Sequence, residues 1–126
     1  MVNPLEIINL SKAYDAKEAV KNISFKLRQN EIIGILGPNG CGKTTTIGMI
    51  LGLLKPTKGK VLINGKEIEN HRVNLLNELN FISPYIELPK KLTVKQNLIV
   101  YGKLYSVKNL NEKIDYLVSK LRLENL

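Results

Sequence analysis

Hydrophobic and polar positions change rhythm several times along the chain, and each change marks an element. Leu5, Ile7 and Asn9 alternate with Glu6, Ile8 and Leu10 in a mixed run, which predicts a strand. Ile23, Phe25 and Leu27 alternate cleanly with Ser24, Lys26 and Arg28, the pattern of a half-buried strand. Glu31 to Leu36 is apolar on both faces and stops at Gly37, which predicts a central strand of an α/β sheet, covered on both sides. From Thr44 to Leu54 the period lengthens, with Ile47, Ile50, Leu51 and Leu54 on one helical face and Pro56 with Gly59 as the stop. Strand, glycine loop and helix follow one another in that order.

Val61, Leu62 and Ile63 lead into Asn64-Gly65, a hairpin signal, with a brief returning strand expected from Lys66 to Ile68. Leu75, Leu76 and Leu79 predict a short helix, and Phe81-Ile82 a short buried strand before Pro84. After Pro89 the character becomes helical. Thr93 with Gln96 makes a capping box ahead of Val94, Leu98, Tyr101 and Tyr105, a helix expected to reach about Ser106. Asn109 with Glu112 forms a second box, followed by Ile114, Leu117, Val118 and Leu121 at helical spacing.

Composition narrows the class. A chain of 126 residues supports one domain at most. With 44% hydrophobic and 24% charged residues it is globular rather than disordered. No apolar run approaches the roughly 20 residues that span a bilayer, and the first ten residues do not read as a secretory signal. The single cysteine, Cys41, rules out an intrachain disulfide and a cysteine-only metal cluster, and fits a reducing compartment such as the cytosol. The formal net charge of +8 would suit a nucleic acid or an anionic surface. However, the basic residues are scattered from Lys12 to Arg122 without an aromatic ladder, so no nucleic-acid partner is expected.

The chemistry concentrates in Gly37-Pro38-Asn39-Gly40-Cys41-Gly42-Lys43-Thr44, a Walker A pattern placed between a predicted strand and a predicted helix. A chance match in a chain this long is on the order of half a percent, so the context makes the signal strong. Glycines let backbone N–H groups turn inward as a nest for phosphate oxygens at the positive end of a helix. Lys43 supplies a charge to the β and γ phosphates, the Thr44 hydroxyl a magnesium ligand, and Thr45 a donor near the α phosphate. Cys41 reads as a small loop residue, with a redox-sensitive thiol as the alternative. The only histidine, His71, reads as a surface residue.

At this loop the chain resembles the nucleotide-binding subunit of an ABC transporter. The resemblance is carried by GPNGCGKTTT with NEIIGIL before it and IGMILGLLKPTKGKVLINGKEI after it, and it runs nearly end to end. It implies a P-loop NTPase core with an N-terminal antiparallel β subdomain, residues 1–83, and the start of a helical subdomain, residues 84–126. It also implies that Tyr14 stacks on adenine, that ATP and magnesium are the ligands, and that the intact protein pairs with a second ATP-binding subunit. An integral membrane permease would hold that dimer on the inner face of the cell membrane. Three departures stand out. Asn30 takes the place of a usual glycine, a residue that also tolerates left-handed backbone. No glutamine stands near Ser83-Pro84-Tyr85, where the family has one. Further, the Walker B Asp, the catalytic Glu, the Ser-Gly-Gly signature and the switch His are all missing, so no catalytic residue can be named. The chain therefore reads as an N-terminal fragment expected at most to bind ATP, its central strand left with apolar faces uncovered. An ABC-type ATPase outside transport is the alternative, and another P-loop class a more distant one. A GTPase would need an Asn-Lys-x-Asp that Asn111 to Asp115 does not supply.

Overall fold

The computed structural model describes residues 2–83 and 87–123. The chain forms two compact units, Met1–Asn80 and Phe81–Leu126. The first holds a four-stranded sheet of β1 (Leu5–Tyr14), β2 (Lys17–Leu27), β3 (Lys58–Ile63) and β4 (Lys66–Glu67). The spatial order is β2-β1-β3-β4, and every pairing is antiparallel.

The mixed run at the start of the chain is explained by a bulge. Asn9 sits in left-handed backbone, φ 49, and the β1–β2 register shifts between Ile7 and Leu10. The extra residue reverses the alternation, so Ile7 and Leu10 both point inward, 1% and 0% exposed. Asn22 on β2 has φ 44, and two serines serve the bulged backbone: Asn9 N–H donates to Ser24 Oγ (2.8 Å) and Asn22 N–H to Ser11 Oγ (2.9 Å). Two helices, α1 (Lys43–Ile50) and α2 (Ile68–Leu76), supply the rest of one core: Met49, Ile68 and Leu75 join Ile7, Leu10, Val20, Val61 and Ile63.

Helix α1 is shorter than the expected Thr44–Leu54. Gly52 turns left-handed (φ 64), and Gly52 N–H and Leu53 N–H donate back to Met49 O and Gly48 O at 3.1 and 2.9 Å, ending the helix in a Schellman motif. Asn64 and Gly65 form the expected hairpin, both with positive φ (48 and 77). The returning strand stops at Glu67, because Ile68 is drawn into the core as the first residue of α2. That helix begins earlier than the leucines suggested and ends at Leu76, with a kink at His71.

Two predicted strands are corrected. Glu31 to Leu36 lies in no strand and is exposed throughout; Ile32 and Leu36 are 97% and 93% accessible. Phe81-Ile82 is likewise outside any strand, with Ile82 91% accessible. The reason is non-local: an extended segment becomes a strand only against a ladder partner, and no strand among the described residues lies beside either one. The side chains of Ile32 and Leu36 are therefore uncovered, where the pattern predicted cover on both sides; only the reading of the chain as a fragment anticipated this. Pro84 and Tyr85, where the family's glutamine was sought, lie outside the described residues.

The second unit contains α3 (Val94–Leu104) and α4 (Leu110–Lys120). The Thr93 box forms as read: Thr93 Oγ1 accepts from Gln96 N–H (3.2 Å) while Gln96 Oε1 accepts from Thr93 N–H (2.9 Å). Asn97 is buried and its Nδ2 donates to the carbonyls of Pro89, Leu92 and Thr93, tying the preceding turn to the helix. The Asn109 box does not form. Asn109 is left-handed, φ 51, and its Nδ2 donates to Glu112 Oε2 (3.2 Å) instead of its oxygen capping the backbone. Of the predicted apolar face only Ile114 is buried; Leu117 and Leu121 are exposed. Thr93→Ala is expected to lower the stability of this unit by about 1 kcal/mol, and Thr93→Ser to restore it, read as the urea midpoint of the helical circular dichroism signal.

Candidate functional site

The phosphate-binding candidate is a single loop set between the exposed Glu31–Leu36 segment and α1. The turn that precedes it uses Asn30 in left-handed backbone (φ 60), with Arg28 N–H donating to Glu31 Oε2 (2.7 Å), so asparagine does the work a glycine would do there. Residues 37–41 are all exposed. Cys41 N–H donates to Pro38 O (3.3 Å), closing the turn. A side chain at Gly37 would collide with Cys41 Sγ.

Two further glycines do different jobs. Gly40 (φ 82) faces open space, leaving the middle of the loop accessible to a ligand. Gly42 (φ 95) is pressed against β2: a methyl there would overlap the Ala19 carbonyl oxygen and stand 3.0 Å from Val20 Cγ2. The loop is thus pinned where it enters α1, and Thr46 N–H donating to Gly42 O (2.8 Å) starts the helix.

The Lys43 ammonium folds over the loop and donates to Gly37 O (2.6 Å) and Pro38 O (2.7 Å). Thr44 is exposed, Thr45 half-buried and Thr46 buried. No acidic residue stands in the first turn of α1, so its positive end and Lys43 face solvent without a neutralising carboxylate. An exposed loop backbone, a helix start without acidic residues, one lysine and an exposed threonine form a donor set that fits a polyphosphate with its hard cation. Among the described residues no group of three or more His, Cys, Asp or Glu could hold a metal by itself. No helix among them is long and apolar enough to cross a membrane.

Tyr14 stands at the end of β1, opposite Lys17, and the residue is 46% exposed. It is on the hairpin that carries Ala19 and Val20, the residues Gly42 packs against. Sequence reasoning missed Lys12. Its ammonium lies 5.1 Å from the centroid of the Tyr14 ring and donates to Lys55 O (2.8 Å). The signal available was only its place two residues before Tyr14, and so on the same side of an ideal strand. The histidine, His71, is exposed, with Nδ1 3.2 Å from Glu67 O, and takes no part in this loop.

Comparison with known proteins decides the family. The model of the ABC transporter family matches residues 20–126, which takes in the whole loop. This chain belongs to the ABC transporter family.

Among relatives of this ABC-family chain, the linearmycin resistance ATP-binding protein LnrL of Bacillus subtilis is 39% identical over 103 residues, covering 82% of the chain and 33% of the relative. The Nod factor export ATP-binding protein I of Rhizobium leguminosarum is 35% identical over 124 residues, 96% of the chain and 40% of the relative. A solved structure of the ATP-binding subunit of an ABC transporter superposes with a TM-score of 0.84 at 27% identity, over 98% of this chain and 52% of that one. The architecture is that of the N-terminal portion of an ABC ATP-binding subunit, and the chain spans well under two thirds of these relatives' length.

Proposed function

We propose that this chain serves in the ATP-binding component of an ABC transporter and takes magnesium-ATP at the Gly37–Thr45 loop. The carrying observation is the Lys43 ammonium, held over exposed loop backbone at the head of a helix with no acidic first turn. In this reading the backbone of Gly37, Pro38, Asn39, Gly40, Cys41 and Gly42 lines the phosphates. Lys43 neutralises the terminal ones, Thr45 donates to the α phosphate, and the Thr44 hydroxyl is the protein's ligand to magnesium. Bound magnesium would offset phosphate charge. Residues 1–83 would carry the nucleotide and residues 84–126 would open the helical subdomain.

The names of the relatives, export and resistance proteins, support a role in transport. In the whole protein two ATP-binding subunits would pair and work through an integral membrane permease on its cytoplasmic side, coupling ATP binding and hydrolysis to movement of a solute. No described residue is assigned a catalytic role.

Tyr14 is proposed as the adenine platform, since an exposed ring on the hairpin that supports the loop offers a stacking face. Base-to-aromatic stacking contributes about 1–3 kcal/mol. Tyr14→Ala is therefore expected to weaken magnesium-ATP binding roughly tenfold in titration calorimetry, while Tyr14→Phe stays close to wild type and inorganic tripolyphosphate binds all three alike. Failure of the folded wild-type chain to bind magnesium-ATP would end the reading.

A further inference from the structure

The Tyr14 ring is not free to choose its neighbours. One of its faces is taken by Lys12, whose ammonium is 5.1 Å from the ring centroid. That ammonium is itself seated, donating to Lys55 O at 2.8 Å. The seat is in turn fixed to β1: Thr57 N–H donates to Ser11 O (2.9 Å), and Ala13 N–H to Thr57 Oγ1 (3.1 Å). Lysine, carbonyl and ring thus form a short relay between the segment following α1 and the end of β1.

We propose that Lys12 is a positioning residue for the nucleotide base: by covering one face of Tyr14 it fixes the ring and leaves the opposite face to the adenine. This rests on the reading of Tyr14 as the adenine platform. The physical basis is the attraction of a cation to the π face, with a geometry that a half-exposed tyrosine would not otherwise hold. A ring already oriented loses less freedom when a base stacks on it, so the effect belongs to the base and not to the phosphates.

The test compares magnesium-ATP with magnesium-tripolyphosphate, titrated into the full chain by calorimetry. The neutral, similarly long Lys12→Met removes the cation. Lys12→Arg keeps it, and the thermal melts of both variants are recorded alongside. The expected result is a roughly two- to fivefold loss of ATP affinity in Lys12→Met with tripolyphosphate unchanged, and Lys12→Arg within twofold of wild type. In a Tyr14→Ala background Lys12→Met should have no further effect on ATP. The proposal is overturned if Lys12→Met leaves ATP affinity unchanged or tightens it. It is also overturned if ATP and tripolyphosphate weaken equally, or if the loss persists without Tyr14. If Tyr14→Ala itself leaves ATP affinity intact, the platform reading fails and the role of Lys12 falls with it, an outcome visible without any Lys12 variant.

Discussion

Lys43→Ala should abolish the thermal stabilisation that magnesium-ATP gives the wild-type chain while leaving the ligand-free melt almost where it was. The first half follows from charge: the Lys43 ammonium lies directly over the loop backbone, and a hydrogen bond to a charged group contributes about 1.5–3 kcal/mol. That range is a loss of roughly 10- to 150-fold in affinity, enough to erase the stabilisation at modest ligand excess. The second half follows from exposure. Gly37 and Pro38, whose carbonyls accept from Lys43, are exposed, so water replaces the lost donor. A Lys43→Ala chain that still gains stability from magnesium-ATP would sink the assignment of the loop.

Gly42→Ala should do the reverse and damage the fold before the ligand is considered. Alanine in left-handed backbone costs about 1–2 kcal/mol, and overlap with the Ala19 carbonyl and Val20 adds an overpacking penalty of about 1–3 kcal/mol. A loss near 3 kcal/mol in urea unfolding is expected, together with loss of nucleotide binding. Gly40→Ala is the control: it meets the same left-handed requirement (φ 82) but open space, so it should lose only the smaller, conformational part. Equal effects of the two substitutions would show that packing on β2 is not what holds the loop.

What the sequence made legible was local. The glycine loop, the Asn64-Gly65 turn and the Thr93 box each depend on a few consecutive residues, and each forms. What it hid was decided by partners elsewhere in the chain. Whether the alternation in β1 reverses at Asn9 depends on the register with β2 and β3, so Leu10 could not be placed inside from its own neighbours. Glu31–Leu36 has the apolar residues of a buried strand, but composition alone does not supply a ladder partner, and the segment lies exposed outside any strand. Asn109 had the residues of a box without the backbone for it, because its left-handed φ turns the side chain toward Glu112. Lys12 escaped because its partner atoms, the Tyr14 ring and the Lys55 carbonyl, come together only in three dimensions.

The way α1 is moored has one more consequence. Its leading end is fixed to β2 through Gly42 on Ala19, and the segment that trails it is fixed to β1 through Thr57 and Lys12. With its first turn packed on one strand of the hairpin and the segment that follows it bonded to the other, the helix is expected to open together with that hairpin. Helix, loop and hairpin are then expected to open as one cooperative unit, which native-state hydrogen exchange would read as a shared opening free energy for their amide protons.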